Sequence, residues 1–330
     1  KGSKIHEDIM SRGLLAKDLL LTNALIDMYA KCGLFTKAKQ ILERLHFRNV
    51  ISWSSLIAGY AQQGQGHEAL DCFERMKNEG ISPDTVTFIC VLKACGSVGA
   101  VGNGKQIHNQ IISMGLIEKD IVLGTTLVDM YAKCGMLVKA EQVIEQLPIR
   151  NVISWSSLIA GYAQQGQGHQ AVNCYEWMQS EGLCPNVVTF ICILKACGST
   201  GAIDKGKQIH EIIVSRGLLE KDILLATALL DMYARCGFLV KAREVLEELP
   251  IRDVISWNAL IAGYAQQGKC VEALSCLEWM QNEGFCPNVI TLISTLKACG
   301  SRGTIRKGKE IHATIMGMGW LENDVTLGNS

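Results

Sequence analysis

The stretch Val-Ile-Ser-Trp at Val50–Trp53 returns letter for letter at Val152–Trp155 and Val254–Trp257. Two residues further on, each copy runs into Leu-Ile-Ala-Gly-Tyr-Ala-Gln-Gln-Gly. Both intervals are 102 residues. A chain that writes one amphipathic segment three times at a fixed period is building units that bury their apolar faces on one another, which is the logic of a solenoid.

Working outward from Trp53, each period divides into three amphipathic pairs. In 50–84, Trp53, Leu56, Ile57 and Tyr60 fall at helical spacing, Gly64 to Gly66 is expected to break the run, and Ala69, Leu70, Phe73 and Met76 restart it. In 85–120, Phe88, Val91 and Leu92 precede an expected break over Gly96 to Gly104, after which Ile107, Ile111 and Met114 lead to Gly115. In 121–151, Leu127, Val128 and Tyr131 run to a Cys134-Gly135 break, and Ala140, Val143, Ile144 and Leu147 are stopped by Pro148. These units of 35, 36 and 31 residues fill the 102-residue period without remainder. Extended along the chain, the division gives a partial unit at 1–18, then 19–49, 50–84, 85–120, 121–151, 152–186, 187–222, 223–253, 254–288 and 289–324, and a start at 325–330. The fold predicted is an all-α, right-handed α-solenoid of helix-turn-helix repeats forming one domain, with the first helix of each pair on the concave face. Neither end carries a polar capping repeat, and the chain opens inside a repeat helix, so it is expected to be part of a longer protein with its natural start upstream.

Bulk composition narrows the function. The 330 residues are 48% hydrophobic with a mean hydropathy of +0.17. No apolar run approaches the roughly 18 residues of a membrane span, so this hydrophobicity is core. The 32 basic residues balance 32 acidic ones, which gives no overall basic footprint for nonspecific nucleic-acid binding. Most of the 14 cysteines keep the 102-residue beat (Cys32, Cys134, Cys236; Cys95, Cys197, Cys299; Cys72, Cys174, Cys276), and no Cys-x-x-Cys occurs. They read as small buried thiols in a reducing compartment, with no metal and no cofactor implied.

Three sequence blocks recur in fixed order: Ser-Trp-Ser-Ser-Leu-Ile-Ala-Gly-Tyr-Ala, Leu-Lys-Ala-Cys-Gly followed by Gly-Lys-Gln-Ile-His, and Asp-Met-Tyr-Ala-Lys-Cys-Gly. With the 35/36/31 cycle, this resembles the pentatricopeptide repeat (PPR) family, in particular its PLS subclass, over essentially the whole chain. The 35-, 36- and 31-residue units correspond to P, L and S repeats. The tetratricopeptide repeat, with a single length of 34, fits less well. The resemblance implies a plant organellar protein, mitochondrial or chloroplast, whose repeats each read about one nucleotide of single-stranded RNA and so select cytidines for C-to-U editing.

In that family the fifth and last residues of a repeat read the base. Here the fifth residues of the P and S units are Asn23, Ser54, Thr125, Ser156, Thr227 and Asn258, and the last are Asn49, Asp84, Asn151, Asn186, Asp253 and Asn288. All are short polar side chains suited to a Watson–Crick edge. The second residues, Leu20, Ile51, Val122, Ile153, Leu224 and Ile255, are aliphatic candidates to sandwich the base. Helix capping is the competing role, since Asn or Asp before a helix is a preferred N-cap. Against capping alone stands the change from Asp84 to Asn186, and from Asn151 to Asp253, between otherwise matching copies. The family's pairing rules imply the target 5′-YGNAANGYN-3′, with the N-terminal units at the 5′ end. The L units carry Ile89, Ile191 and Ile293 at the fifth position with Asp120, Asp222 and Asp324 last, and are expected to read weakly or not at all. Lys31, Lys133 and Arg235, the thirteenth residues of the S units, are candidate phosphate contacts or favourable charges at a helix C-terminus.

No catalytic site is expected. His6, His108, His210 and His312 recur singly, one per hairpin, and lack partners. The His-x-Glu and Pro-Cys-x-x-Cys signature of zinc deaminases is absent, so catalysis would come from a deaminase domain in cis or in trans. The glycines at Gly102 to Gly104 are expected to break helices, and they lack the Lys-Ser/Thr of a phosphate loop. Two functions follow: an RNA-binding module, or a protein-interaction scaffold. The apolar fifth residues of the L units leave a surface where, the family resemblance implies, organellar editing cofactors dock.

Overall fold

The computed structural model describes residues 18–45, 47–249 and 251–302. The partial unit at 1–17, the end of the last L unit with Asp324, the start at 325–330, and His6 and His312 lie outside the described residues.

Every described element is an α-helix. They run α1 Leu19–Lys31, α2 Phe35–Arg44, α3 Val50–Gln62, α4 Gly66–Asn78, α5 Thr85–Val98, α6 Val101–Ser113, α7 Ile121–Lys133, α8 Leu137–Gln146, α9 Val152–Gln164, α10 Gly168–Ser180, α11 Val187–Thr200, α12 Ile203–Ser215, α13 Ile223–Arg235, α14 Leu239–Glu248, α15 Val254–Gln266, α16 Cys270–Asn282 and α17 Val289–Arg302. They fall into two compact units, Lys1–Gly161 and Tyr162–Ser330, divided inside α9.

Within each unit the packing is that of consecutive helix-turn-helix repeats. In the first, α1, α3, α5 and α7 pack one on the next as a continuous layer, and α2, α4, α6 and α8 each pack on their own first helix and, except at the end of the row, on the one after. In the second, α11, α13, α15 and α17 form the equivalent layer, with α12, α14 and α16 behind them. The core lies between the layers. Trp53, Tyr29, Phe88 and Tyr131 are fully buried there in the first unit, as are Trp257, Phe190, Tyr175 and Tyr233 in the second.

The invariant Gly-Tyr-Ala of the 35-residue units has a packing cause. A Cβ at Gly59 would lie 2.5 Å from the Ala30 Cβ and 3.0 Å from its carbonyl carbon, and one at Gly263 would lie 2.7 Å from the Ala234 Cβ. Neighbouring first helices therefore touch at backbone range, glycine against alanine.

Two expectations need correction. Gly96 to Gly104 is not one long break: α5 runs through Gly96 to Val98, only Gly99 takes a left-handed conformation (φ 69°), and α6 begins at Val101 and contains both Gly102 and Gly104. Gly104 is helical because it gives room to Met130, whose sulfur would lie 2.6 Å from an added Cβ. Nor are all the periodic cysteines buried. Cys95, Cys197, Cys299, Cys72, Cys174 and Cys276 are, whereas Cys32 is exposed and Cys134 and Cys236 are half-buried. Those three occupy helix C-caps, and the Cys134 and Cys236 thiols donate to the carbonyls of Cys95 and Cys197 at 3.6 Å. None of the fourteen cysteines is joined in a disulfide. Burial pushes Cys95 and Cys197 up to about 12, which leaves them protonated and unreactive.

Candidate nucleic-acid interface

The first helices carry the predicted reading residues at their N-terminal ends, and the N-caps decide how those residues are held. All six closing residues of the P and S units accept a backbone N–H through Oδ1: Asn49 from Ser52, Asp84 from Thr87, Asn151 from Ser154, Asn186 from Thr189, Asp253 from Ser256 and Asn288 from Thr291, at 2.8 to 3.0 Å. Capping and reading are thus not exclusive. The cap consumes one atom and leaves the other, a donor Nδ2 on Asn or an acceptor Oδ2 on Asp.

The fifth residue reaches the side chain of the closing residue directly at two junctions, once at the freed atom and once at the capping oxygen. Asn151 Nδ2 donates to Thr125 Oγ1 at 3.2 Å, and Asn258 Nδ2 donates to Asn288 Oδ1 at 3.1 Å. At the P-to-L junctions a third side chain joins them. The Thr87 hydroxyl donates to Asp84 Oδ1 at 2.6 Å and lies 2.7 Å from Ser54 Oγ, and the Thr291 hydroxyl reaches Asn258 Oδ1 at 2.5 Å and Asn288 Oδ1 at 3.0 Å. Sequence reading missed these bracing threonines, although Ser or Thr three residues after an Asn or Asp cap is a recognisable capping pattern. At the S-to-P junctions the equivalent Ser52, Ser154 and Ser256 fold back onto their own cap carbonyls. Among the described residues Asn23 is consequently left with both amide atoms buried and unpaired, while Thr227 bonds only the carbonyl of Ile223, at 2.8 Å. Ser54 and Ser156 also back-bond to the carbonyls of Val50 and Val152 at 2.6 Å.

The L units differ in kind. Ile89, Ile191 and Ile293 are half-buried. Asp120 and Asp222 cap α7 and α13 by accepting two backbone N–H groups each, and the residues that would brace a reader are the apolar Leu123 and Leu225. Polar bracing is therefore missing where the fifth residue is apolar.

Leu20, Ile51, Val122, Ile153, Leu224 and Ile255 stand in the open, 50% to 77% exposed. Val86, Val188 and Ile290 at the second position of the L units are equally open, 55% to 60% exposed, and the sequence reading did not include them. In the second compact unit a cavity of about 500 Å³ opens on this face, lined by Thr227, Asn258 and Asn288, by Leu224, Ile255 and Ile290, and by Ile191, Lys195 and Asp231. Predicted readers and predicted clamps thus share one wall.

Lys31, Lys133 and Arg235 are exposed but paired, at 2.7 Å, with Asp27, Asp129 and Asp231 one turn earlier. His108 and His210 hydrogen-bond Tyr131 and Tyr233 through Nδ1 at 2.9 Å, a packing role behind the first-helix layer. Among the described residues no group of three or more His, Cys, Asp or Glu is arranged to hold a metal ion. Among the same residues no helix is long and apolar enough to cross a membrane.

These features define a helical-repeat protein with a periodic polar and aliphatic face along its first helices. Models of the PPR repeat family match 48–97, 150–199 and 252–301, and those of the single PPR repeat match 22–50, 125–152 and 226–254. The chain belongs to the PPR repeat family. It is 37% identical over 299 residues to a chloroplastic pentatricopeptide repeat-containing protein of Arabidopsis thaliana, covering 91% of this chain and 48% of that one. A mitochondrial protein of the same description and organism is 37% identical over 331 residues, covering all of this chain and 43% of that one. The chain thus spans about half the length of the curated relatives it matches. Among solved structures it resembles the pentatricopeptide repeat protein PPR10 in complex with an 18-nucleotide psaJ RNA element, with a TM-score of 0.78 and 18% identity over 94% of this chain and 46% of that one. That likeness establishes the fold.

Proposed function

We infer that the chain is a single-stranded RNA-binding module of the PLS subclass, reading one base per P or S unit and choosing a target for organellar C-to-U editing. The observation that carries this is the division of labour at the caps. Oδ1 is spent on the helix at all six junctions, so replacing Asp by Asn keeps the capping oxygen and inverts the hydrogen-bonding sense of the remaining atom. An acceptor at Asp84 and Asp253 suits the N1–H and N2–H of guanine, and a donor at Asn151 and Asn186 suits the N1 of adenine. With Asn23–Asn49 and Asn258–Asn288 assigned to pyrimidines and the L units silent, the target is 5′-YGNAANGYN-3′. The unpaired Asn23 amide is accounted for as well, because a buried amide without partners costs about 1–3 kcal/mol that a bound base would recover.

The similarity to PPR10, which is seen with RNA, and to chloroplastic and mitochondrial relatives supports an organellar single-stranded RNA as partner. Deamination falls to a domain or protein outside this chain, and the L units, with the apolar fifth residues Ile89, Ile191 and Ile293, are where editing cofactors would dock. The test is titration of the chain with the nine-nucleotide target and with a version carrying adenine at positions 2 and 7. Preference for the first supports base reading, equal affinity removes it, and no RNA binding with or without a partner protein leaves the scaffold function.

A further inference from the structure

The first helices carry one more periodic row, at the ninth position of each unit. In the first compact unit it reads Asp27, Ala58, Lys93, Asp129, Ala160, and in the second Lys195, Asp231, Ala262, Lys297. The ninth residue follows the second by seven, so it lies on the same helix face about 10 Å along the axis. The thirteenth lies about 16 Å along.

The charges in this row are not equivalent. Every S-unit carboxylate is engaged: Asp27, Asp129 and Asp231 hold Lys31, Lys133 and Arg235 at 2.7 Å, and Asp129 also accepts from Ser157 at 3.2 Å. The thirteenth-position cations are thereby already paired, and a carboxylate stands between each of them and the base-reading end of the helix. Lys93, Lys195 and Lys297 are exposed and form no ion pair or hydrogen bond among the described residues. Lys195 lines the cavity that holds Thr227 and Asn258, and Arg235 does not.

We propose that Lys93, Lys195 and Lys297 hold the RNA phosphates, so that the L units, silent toward bases, act as backbone anchors once in every three repeats, while Lys31, Lys133 and Arg235 contribute little. This rests on the RNA-binding reading above. An ammonium is a compact donor with no base preference, so it positions the strand without reading it. The Asp residues of the S units, one repeat on, disfavour phosphate there and fix the spacing of the anchors.

The experiment compares two triple variants of the whole chain, Lys93→Gln/Lys195→Gln/Lys297→Gln and Lys31→Gln/Lys133→Gln/Arg235→Gln. Affinity for 5′-UGUAAUGUU-3′ and for 5′-UAUAAUGUU-3′ is measured from 50 to 200 mM salt. Each phosphate contact on a single strand contributes about 0.7 to the slope of log affinity against log salt. The first variant is expected to lose about 2 from that slope and to weaken on both RNAs by the same factor. The second is expected to change the slope by less than one contact. The changed residues are exposed, and unaltered thermal melts check that both variants fold. An unchanged slope in the first variant, with RNA still bound by the wild type, overturns the anchor assignment alone. Weakening confined to the matched RNA also overturns it, in favour of a base contact. A wild type that binds neither RNA overturns the underlying RNA reading and the anchors with it.

Discussion

Asp84→Asn separates the base choice proposed for this residue from its capping of the helix. In the native chain Asp84 Oδ1 accepts from the Thr87 backbone N–H at 2.8 Å and from its hydroxyl at 2.6 Å. Asn186, one period later, makes the same two bonds to Thr189 at 2.9 Å each, so the substituted side chain already has a working geometry in this molecule. Asn and Asp cap helices about equally well, and the variant is expected to melt within about 0.5 kcal/mol of the wild type. What changes is the outward atom. The acceptor Oδ2 becomes the donor Nδ2, which faces guanine N1–H donor to donor and complements adenine N1. A mispaired buried contact costs about 1–3 kcal/mol, using base discrimination in DNA grooves as the guide, and 1.4 kcal/mol is a factor of ten. Position 2 should therefore move from preferring G to preferring A, each preference lying between about five- and a hundredfold. Fluorescence anisotropy with 5′-UGUAAUGUU-3′ and 5′-UAUAAUGUU-3′ reads both preferences. If the variant folds and keeps the wild-type preference, the outward atom of the cap does not read the base.

Three other perturbations follow. Thr87→Val removes the hydroxyl between Ser54 and Asp84 while keeping shape. Stability should fall by about 1 kcal/mol in a denaturant melt, and discrimination at position 2 should fall more than at position 7, which Thr87 does not touch. Gly59→Ala puts a methyl where the Ala30 Cβ and backbone leave no room. It is expected to cost about 1–3 kcal/mol by urea unfolding, far more than an ordinary helical Gly→Ala, which stabilises. His108 and His210 have pKa values lowered mainly by burial and secondarily by Lys139 and Lys241 respectively. A base with a depressed folded pKa binds more protons when unfolded, so its contribution is intact above the unfolded value of 6.5 and is lost as pH falls through the folded one. The melting temperature should drop between pH 7.5 and 5.5, and His108→Gln/His210→Gln should flatten that drop.

Much of this molecule was legible from the period alone. Trp53, Tyr60 and Phe73 announce a buried stripe by their spacing, and spacing survives in any helix. Glycine was less legible because one residue type serves opposite needs. Gly99 turns the chain with a left-handed backbone, whereas Gly104 lies inside a helix to admit Met130, and only the neighbour distinguishes them. The cysteines misled in the same way. Cys95 and Cys134 share a period but differ in burial, because one lies within its helix and the other caps the end of its own.

The sequence by itself determined the repeat, its 102-residue period and the all-α class, since these depend only on order and periodicity along one chain. Tertiary structure decided which atoms of the closing residues are spent on the helix. Whether Asp84 caps, reads or does both depends on which of its two oxygens Thr87 takes. Whether Lys31 or Lys93 is available to a phosphate depends on where the nearest carboxylate falls. Those are distances between side chains on successive turns and neighbouring helices, and a linear pattern does not contain them until the helices are stacked.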